Sequence, residues 1–304
     1  MRSITNPAKY SVLAVVAETG SLTAAAEKLG YTQSGISRII QDIEAECGFP
    51  LIMRGKSGSS LTRDGEKLIG PIRQLMRAEE QLSGAVDEIK GLRSGKVRVG
   101  MFSSVAVHWA PELIERFTAQ YPSIEVELFS GLYDEIEDRV LDERLDCGFS
   151  TKQTKRDLNF VELTRDRLLA VVPKDHPFAA FDRLPAELIE KADLILPGEG
   201  SGYDIGAIFR SCRITPRVKY ALSDDYAALS MVERGLGITI LPELILEGRA
   251  GNYRVLELEP AFHRTIGIVS RPRRGVSPAA KAFIDFVKAF VRAMRESGPE
   301  KYIK

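Results

Sequence analysis

"GSLTAAAEKLGYTQSGISRIIQDIE", Gly20 to Glu44, is the stretch whose reading decides the fold. Upstream, the apolar positions Leu13, Val16 and Ala17 predict a helix over about Tyr10 to Glu18. Gly20 stops it, because glycine accepts the left-handed conformation at a helix end. Ser21 or Thr23 caps the next helix, Thr23 to Leu29, with an oxygen that accepts from free backbone N–H groups. Its alanines, Ala24, Ala25 and Ala26, let another helix approach closely. Gly30 ends it, and Thr32 caps a third helix, Gln33 to Glu46, with Ile36, Ile39, Ile40 and Ile43 on its apolar face. Two helices joined by a turn with glycine describe a helix-turn-helix. In that motif the second helix enters the DNA major groove N-terminus first. The residues that lead here are Gln33, Ser34, Ser37 and Arg38, off the isoleucine face, with Thr32 at the cap. Glutamine pairs bidentately with adenine, and arginine with guanine or phosphate. The bland alternative, a solvated polar helix start, loses ground because the motif continues downstream.

Composition sets the outer bounds. A chain of 304 residues is too long for one ordinary core and implies two or three domains. With 44% hydrophobic and 28% charged residues it reads as globular. No apolar run reaches membrane-spanning length, and "MRSITNPAKYSV" has no apolar signal core, so no membrane partner and a cytoplasmic location are expected. Cys47, Cys147 and Cys212 cannot all pair and lack metal-like spacing, so they read as reduced thiols and no metal or cofactor is expected. The formal net charge is zero. Nucleic-acid binding therefore needs locally clustered cations.

The segment "YSVLAVVAETGSLTAAAEKLGYTQSGISRIIQDIEAECGFPLIMRGKSGSSLTRDGEKLI" resembles the winged helix-turn-helix of LysR-type transcriptional regulators. The resemblance rests on "ETGSLTAAAEKL", "TQSGISR", "IEAECG" and the wing ending in "LTRDG", and it continues weakly through nearly the whole chain. It implies a sequence-specific DNA-binding regulator, not an enzyme. Departures occur at Ser34 and Gly35, where relatives often carry Pro and Ala, and in "LIMRGKS", where Ile52 replaces an aromatic and Ser57 an arginine. Gly35 loosens the first turn by up to about 1 kcal/mol relative to alanine. Arg54 fits the family's phosphate-contacting position, and Lys56 stands in for the missing charge; a structural ion pair is the alternative for Arg54. Phosphate contacts give affinity but no sequence information, so weaker or more salt-sensitive binding is expected.

Arg63 to about Leu92 reads as one long helix, interrupted near its start by Pro71. Leu68, Ile72, Leu75, Leu82, Val86 and Ile89 follow a heptad seam, with Glu79 in one slot as a candidate register-setting residue. About thirty residues at 1.5 Å give a rod of roughly 45 Å. Packing on the chain's own core is the alternative to dimerisation. In the resembling family this is the linker helix, and tetramers form as pairs of dimers.

"GLRSGKV", Gly91 to Val97, breaks that helix, and strands then alternate with helices. "KVRVGMF" precedes a helix over about Ala106 to Gln120; "VELFS", the helix "YDEIEDRVLDERL" and the strand "DCGFS" follow. A second series runs through "LLAVVP", "ADLILPG", "RVKYALS" and "GITILPE". The strand "TIGIVSR" and a helix over Pro278 to Arg295 close the chain. The rhythm predicts a parallel sheet with crossover helices. It resembles the family's effector domain, two α/β lobes with the fold of periplasmic binding proteins. The expected division is a winged helix-turn-helix over 1–62, a linker helix over 63–93 and an effector domain over 95–304. Lobe one takes about 95–165 and 265–304, and lobe two about 166–264, with crossovers near Thr164 to Arg167 and Glu259 to Arg264.

Ligands of open α/β sheets bind at the carboxyl ends of strands, against helix N-termini. The candidate effector residues are accordingly Ser103, Ser104, Gly131, Phe149, Ser150, Thr151, Gly200, Ser201 and Ser223. Small hydroxyls and free N–H groups suit a carboxylate or other anion; Gly131 and Leu132 leave room for a partly apolar ligand. Each serine also has the simpler reading of an N-cap. An enzyme is disfavoured, because His108, His176 and His263 lie far apart without a nucleophile elbow, paired ligands or a P-loop. A transport-type binding protein is disfavoured by the N-terminal motif. A peroxide-type redox sensor is disfavoured because lobe two holds Cys212 alone. The partners expected are double-stranded DNA, a small-molecule effector, a second copy of the chain in a dimer or tetramer, and RNA polymerase.

Overall fold

The computed structural model describes residues 7–55, 58–89, 94–151, 156–197, 201–272 and 276–296. The chain forms two compact units, Met1–Leu92 with Asp142–Arg144 and Arg93–Leu141 with Leu145–Lys304.

The first unit contains α1 (Pro7–Thr19), α2 (Leu22–Leu29), α3 (Gln33–Cys47), β1 (Ile52–Gly55), β2 (Gly58–Leu61) and α4 (Arg63–Ile89). Ser21 is the cap of α2, accepting from the Ala24 N–H, and Thr32 caps α3 by accepting from Gly35. Gly30 closes α2 in the left-handed conformation. Leu13, Val16, Ala25, Ile36, Ile40 and Ile43 are buried together, so α1 and α2 form the platform on which α3 lies. Burial of each large side chain stabilises the unit by ~1.5–3 kcal/mol. β1 and β2 pair antiparallel as the wing. Its base is tied to α3, since Glu44 accepts from the N–H groups of Leu51 (2.7 Å) and Ile52 (3.0 Å). Its far strand is tied to the α1–α2 turn by Ser59 N–H to the Gly20 carbonyl at 2.7 Å. Gly58 has φ +128°, and a Cβ there would sit 2.6 Å from that carbonyl, so only glycine fits.

Two expectations for α4 need correction. Pro71 lies inside the helix and does not interrupt it. The proline removes one N–H, while the buried neighbour Ile72 holds that turn on the core. The apolar seam is also divided. Leu68, Ile72 and Met76 pack on the unit's own core, whereas Leu75, Leu82 and Val86 are exposed by 37%, 67% and 40%. The Ile89 side chain lies outside the described residues.

The second unit begins with β3 (Gly95–Met101), α5 (Ser103–His108), α6 (Ala110–Gln120), β4 (Ile124–Ser130), α7 (Tyr133–Leu141) and β5 (Cys147–Thr151). β6 (Asn159–Pro173), β7 (Arg183–Pro185), β8 (Asp193–Pro197), α8 (Ser201–Cys212), β9 (Arg217–Leu222) and α9 (Asp225–Glu233) follow. β10 (Thr239–Pro242), α10 (Glu243–Leu246), β11 (Tyr253–Ser270) and α11 (Pro278–Glu296) complete it. The single helix expected over 106–120 is two, parted at Trp109, with Pro111 in the first turn of the second.

The sheet is mixed rather than parallel. Its order is β10-β6-β11-β5-β3-β4, with β7 beside β11. β3, β4 and β5 are parallel, but β11 runs antiparallel to both β5 and β6. β6 and β11 are continuous strands of 15 and 18 residues that pass from one lobe to the other. Leu113, Phe117, Phe149, Phe283 and Val287 belong to the lobe-one core. Lobe two has apolar clusters on both faces of its sheet, one around Leu184, Ile189 and Ile205, the other around Val171, Ile195 and Val232. No helix among the described residues is long and apolar enough to cross a membrane.

Candidate functional site

On the first unit, the N-terminal turn of α3 presents the polar set that the sequence singled out. Gln33, Ser34 and Arg38 are exposed and Ser37 is half-buried. Thr32 Oγ1 accepts from Gly35 N–H and lies 3.1 Å from Ser34 Oγ. That bond fixes the turn at the tip of the helix. A Cβ at position 35 would lie 3.1 Å from the same oxygen, a tight contact that glycine avoids. Among the described residues, Gln33 and Arg38 make no hydrogen bond or ion pair and remain available to an outside partner. Arg54 on β1 donates to Ser37 Oγ at 2.8 Å. Among the described residues Arg54 has no acidic partner, and its bond to Ser37 puts the wing and α3 on one polar face. Lys56 lies outside the described residues.

On the second unit, the residues expected around an effector do not all meet. Ser103 begins α5 and is exposed, and Ser223, after β9, is exposed as well. Ser104 is buried and accepts from Arg264. At Gly131 a Cβ would meet the Glu135 carboxylate and the Phe129 ring at 2.6 Å, so a larger residue there would have to displace these two side chains. Phe149 is a correction: its side chain is wholly inside the lobe-one core, edge-on to Trp109, and offers no surface to a ligand. Ser150 and Thr151 are buried too, and the Ser150 hydroxyl donates to the buried Glu137. Gly200 and the Ser201 side chain lie outside the described residues.

What lies between the lobes is a buried charged cluster centred on Arg264 of β11. Its Nε donates to Asp166 of β6 at 2.9 Å, its Nη1 to the Tyr133 hydroxyl at 2.7 Å and its Nη2 to Ser104 at 2.8 Å. The guanidinium also lies 5.0 Å from the Phe102 ring centroid. Asp166 accepts from the Leu244 N–H, and Tyr133 reaches Asp204 of α8 at 3.5 Å. Burial alone would lower the Arg264 pKa, but Tyr133, Asp166 and Asp204 outweigh it and hold the charge firmly. Burial pushes the Asp166 carboxyl up, opposed by Arg264. It also pushes Asp204 up, to about 6, with Arg264 opposing and Asp166 adding to the rise. One Asp204 oxygen has no hydrogen-bond partner among the described residues. The cluster thus spans both lobes through α5, α7, α8 and the two long strands, and a change in lobe arrangement must alter it.

Sequence reasoning missed Arg264, Asp166, Tyr133 and Asp204. A signal existed for two of them. Arg264 and Asp166 are opposite charges, one in each expected crossover, and they are direct partners in the β6–β11 register.

Comparison with known proteins places this geometry. Residues 8–66 match the family described as bacterial regulatory helix-turn-helix protein, lysR family, and residues 90–292 match the LysR substrate binding domain. The regulator YvbU of Bacillus subtilis (strain 168), described as an uncharacterized HTH-type transcriptional regulator, is 29% identical over 283 residues. The match covers 92% of this chain and 97% of that protein. A full-length OxyR variant from Pseudomonas aeruginosa has the same fold, with TM-score 0.73 and 22% identity over 93% of this chain and 97% of that one. The effector binding domain of QuiR, solved in complex with shikimate, aligns at TM-score 0.60 and 27% identity, covering 66% of this chain and 98% of that one.

Proposed function

Because the chain belongs to the LysR family of transcriptional regulators, which are not enzymes, we propose that Gln33, Ser34, Ser37 and Arg38, with Thr32 at the cap, contact DNA bases or the phosphates beside them from α3. Arg54 and Lys56 hold the phosphate backbone from the wing. The observation that carries this reading is the uncommitted state of Gln33 and Arg38 at the exposed tip of a capped helix. The division of labour is a DNA-reading domain over 1–62, a linker helix over 63–93 and an effector domain over 95–304. The effector is a small molecule between the lobes, near Ser103, the start of α8 and Ser223, where free N–H groups and hydroxyls suit an anion. It acts by changing the bonds of the Arg264 cluster, and its differential affinity for two lobe arrangements shifts their populations.

Exposed Leu75, Leu82 and Val86 support pairing of α4 with the same helix of a second copy. A dimer places two reading helices on a pseudo-palindromic site. Two dimers in a tetramer bend the DNA between two such sites, with RNA polymerase access as the readout. The setting is the cytoplasm.

Selection of bound duplexes from a random pool tests the reading. The expected product is an enriched pseudo-palindrome, and an unenriched pool contradicts it. Leu82→Glu should convert the dimer to a monomer by light scattering; an unchanged mass would exclude the seam.

A further inference from the structure

A cavity of about 610 Å³ opens where β6 and β11 pass between the lobes, and none of the nine residues expected to bind effector lines it. Its size falls in the range of small-molecule sites. Trp109, Leu169, Leu246, Val255, Ile266 and Met294 give it a predominantly apolar wall.

The charged groups on the wall differ in what they are already doing. Arg167 is bound to Glu243 and Glu257. Asp166 is bound to Arg264 and to the Leu244 N–H. Arg165 is largely exposed beside Glu162, and Arg249 lies 4.2 Å from the Tyr226 ring centroid. Glu247 is different. Its one nearby partner among the described residues is His108 Nδ1 at 3.9 Å, beyond hydrogen-bond distance. Burial and then Arg249 hold the His108 pKa down, so the imidazole is neutral and supplies no counter-charge. Burial, with Asp166 and Glu243 adding, raises the pKa of Glu247 itself. Among the described residues, a half-buried carboxylate with no arginine or lysine partner thus faces a cavity whose wall is mostly apolar.

We propose that this cavity is a second ligand site, separate from the inter-lobe effector site, for an apolar small molecule bearing one protonated amine, with the ammonium on Glu247. An ammonium supplies three donors and the missing positive charge. A carboxylate placed against Glu247 would meet a like charge, and the wall's arginines are already engaged, Arg165 beside Glu162, Arg167 with Glu243 and Glu257, and Arg249 over the Tyr226 ring. A wholly apolar ligand would leave Glu247 desolvated without a partner. The volume holds a ring with a short chain, the ring resting on Trp109 and Met294.

The test is calorimetric titration of the purified full chain with tryptamine, tryptophol and indole-3-acetate, which share a ring and differ in the polar end. Tryptamine should bind roughly tenfold or more tighter than the alcohol and the acid, as expected for a charge-assisted bond. Glu247→Gln should bring its affinity to the level of tryptophol. Val255→Trp, which narrows the cavity, should abolish binding, while Ser223→Ala at the inter-lobe effector site, off the cavity wall, should leave it unchanged. Tighter binding of indole-3-acetate, equal tryptamine binding by Glu247→Gln or by Val255→Trp, loss in Ser223→Ala, or no binding by any of the three would overturn the proposal.

Discussion

The tip of α3 and the Arg264 cluster are both polar, and they spend their polarity in opposite ways. At the tip, Gln33 and Arg38 are exposed and have no partner among the described residues. Between the lobes, Arg264 is buried and divides its donors among Asp166, Tyr133 and Ser104. The first arrangement leaves its bonds to be made by an outside molecule, so its residues matter to binding and little to folding. The second makes its bonds internally, so its residues matter to folding and to the coupling between lobes.

The largest expected break in that contrast comes from Arg264→Leu. It leaves Asp166 and Asp204 buried without their cation and should destabilise the second unit by about 3–5 kcal/mol. Trp109, the single tryptophan, lies in that unit and reports the urea transition by fluorescence. An unchanged midpoint would mean the cluster is not structural.

The next effect is a pH dependence from Asp204. Its pKa is raised to about 6 from the ordinary 3.8, chiefly by burial, with Arg264, Asp166, Tyr133 and Asp225 around it. The native state then binds more protons than the unfolded chain between about pH 4 and 6, so stability falls as pH rises through that window and levels off above it. The loss is on the order of 2–3 kcal/mol. Asp204→Asn should flatten this part of the profile and be the more stable protein at pH 7.5. A wild-type-like slope in the variant would show that the titration belongs elsewhere.

Arg38→Ala sharpens the other side. It should cost about 1–3 kcal/mol in specific DNA binding while leaving the thermal transition of the first unit within about 0.5 kcal/mol of wild type. The smallest effect is expected for Ser37→Ala, which frees Arg54 from its 2.8 Å bond. An exposed bond of this kind contributes less than ~1 kcal/mol, and anisotropy titrations should show a small, sequence-independent weakening. A loss as large as that of Arg38→Ala would make Ser37 a base-reading residue in its own right.

The same contrast explains what the sequence revealed. The first unit is built from local rules: caps three residues from their donors, glycines at helix ends and an isoleucine face at helical spacing. Those rules place Ser21, Gly30, Thr32, Ile36 and Ile40 without knowledge of the rest of the chain. Pro71 is the local rule that fails, because Ile72 packs on the core and overrides the break. The Arg264 cluster is built from contacts 98, 131 and 160 residues apart, which no periodicity encodes. "LTRDRLL" in β6 carries three charges in succession, so it reads as a break between short strands. In the fold those charges mark where a single long strand leaves one lobe for the other. Phe149 fails for a related reason: it sits beside a plausible loop, but alternation along β5 turns it into the core.

Fluorescence anisotropy of the purified full chain on a duplex selected from the random pool, against a scrambled duplex of equal length at two salt concentrations, tests the central claim most directly. The account predicts preferential binding to the selected duplex that persists at the higher salt, because base contacts from α3 add to the phosphate contribution. Equal weak binding to both duplexes, vanishing together with added salt, would leave phosphate attraction alone and contradict a base-reading role for Gln33 and Arg38.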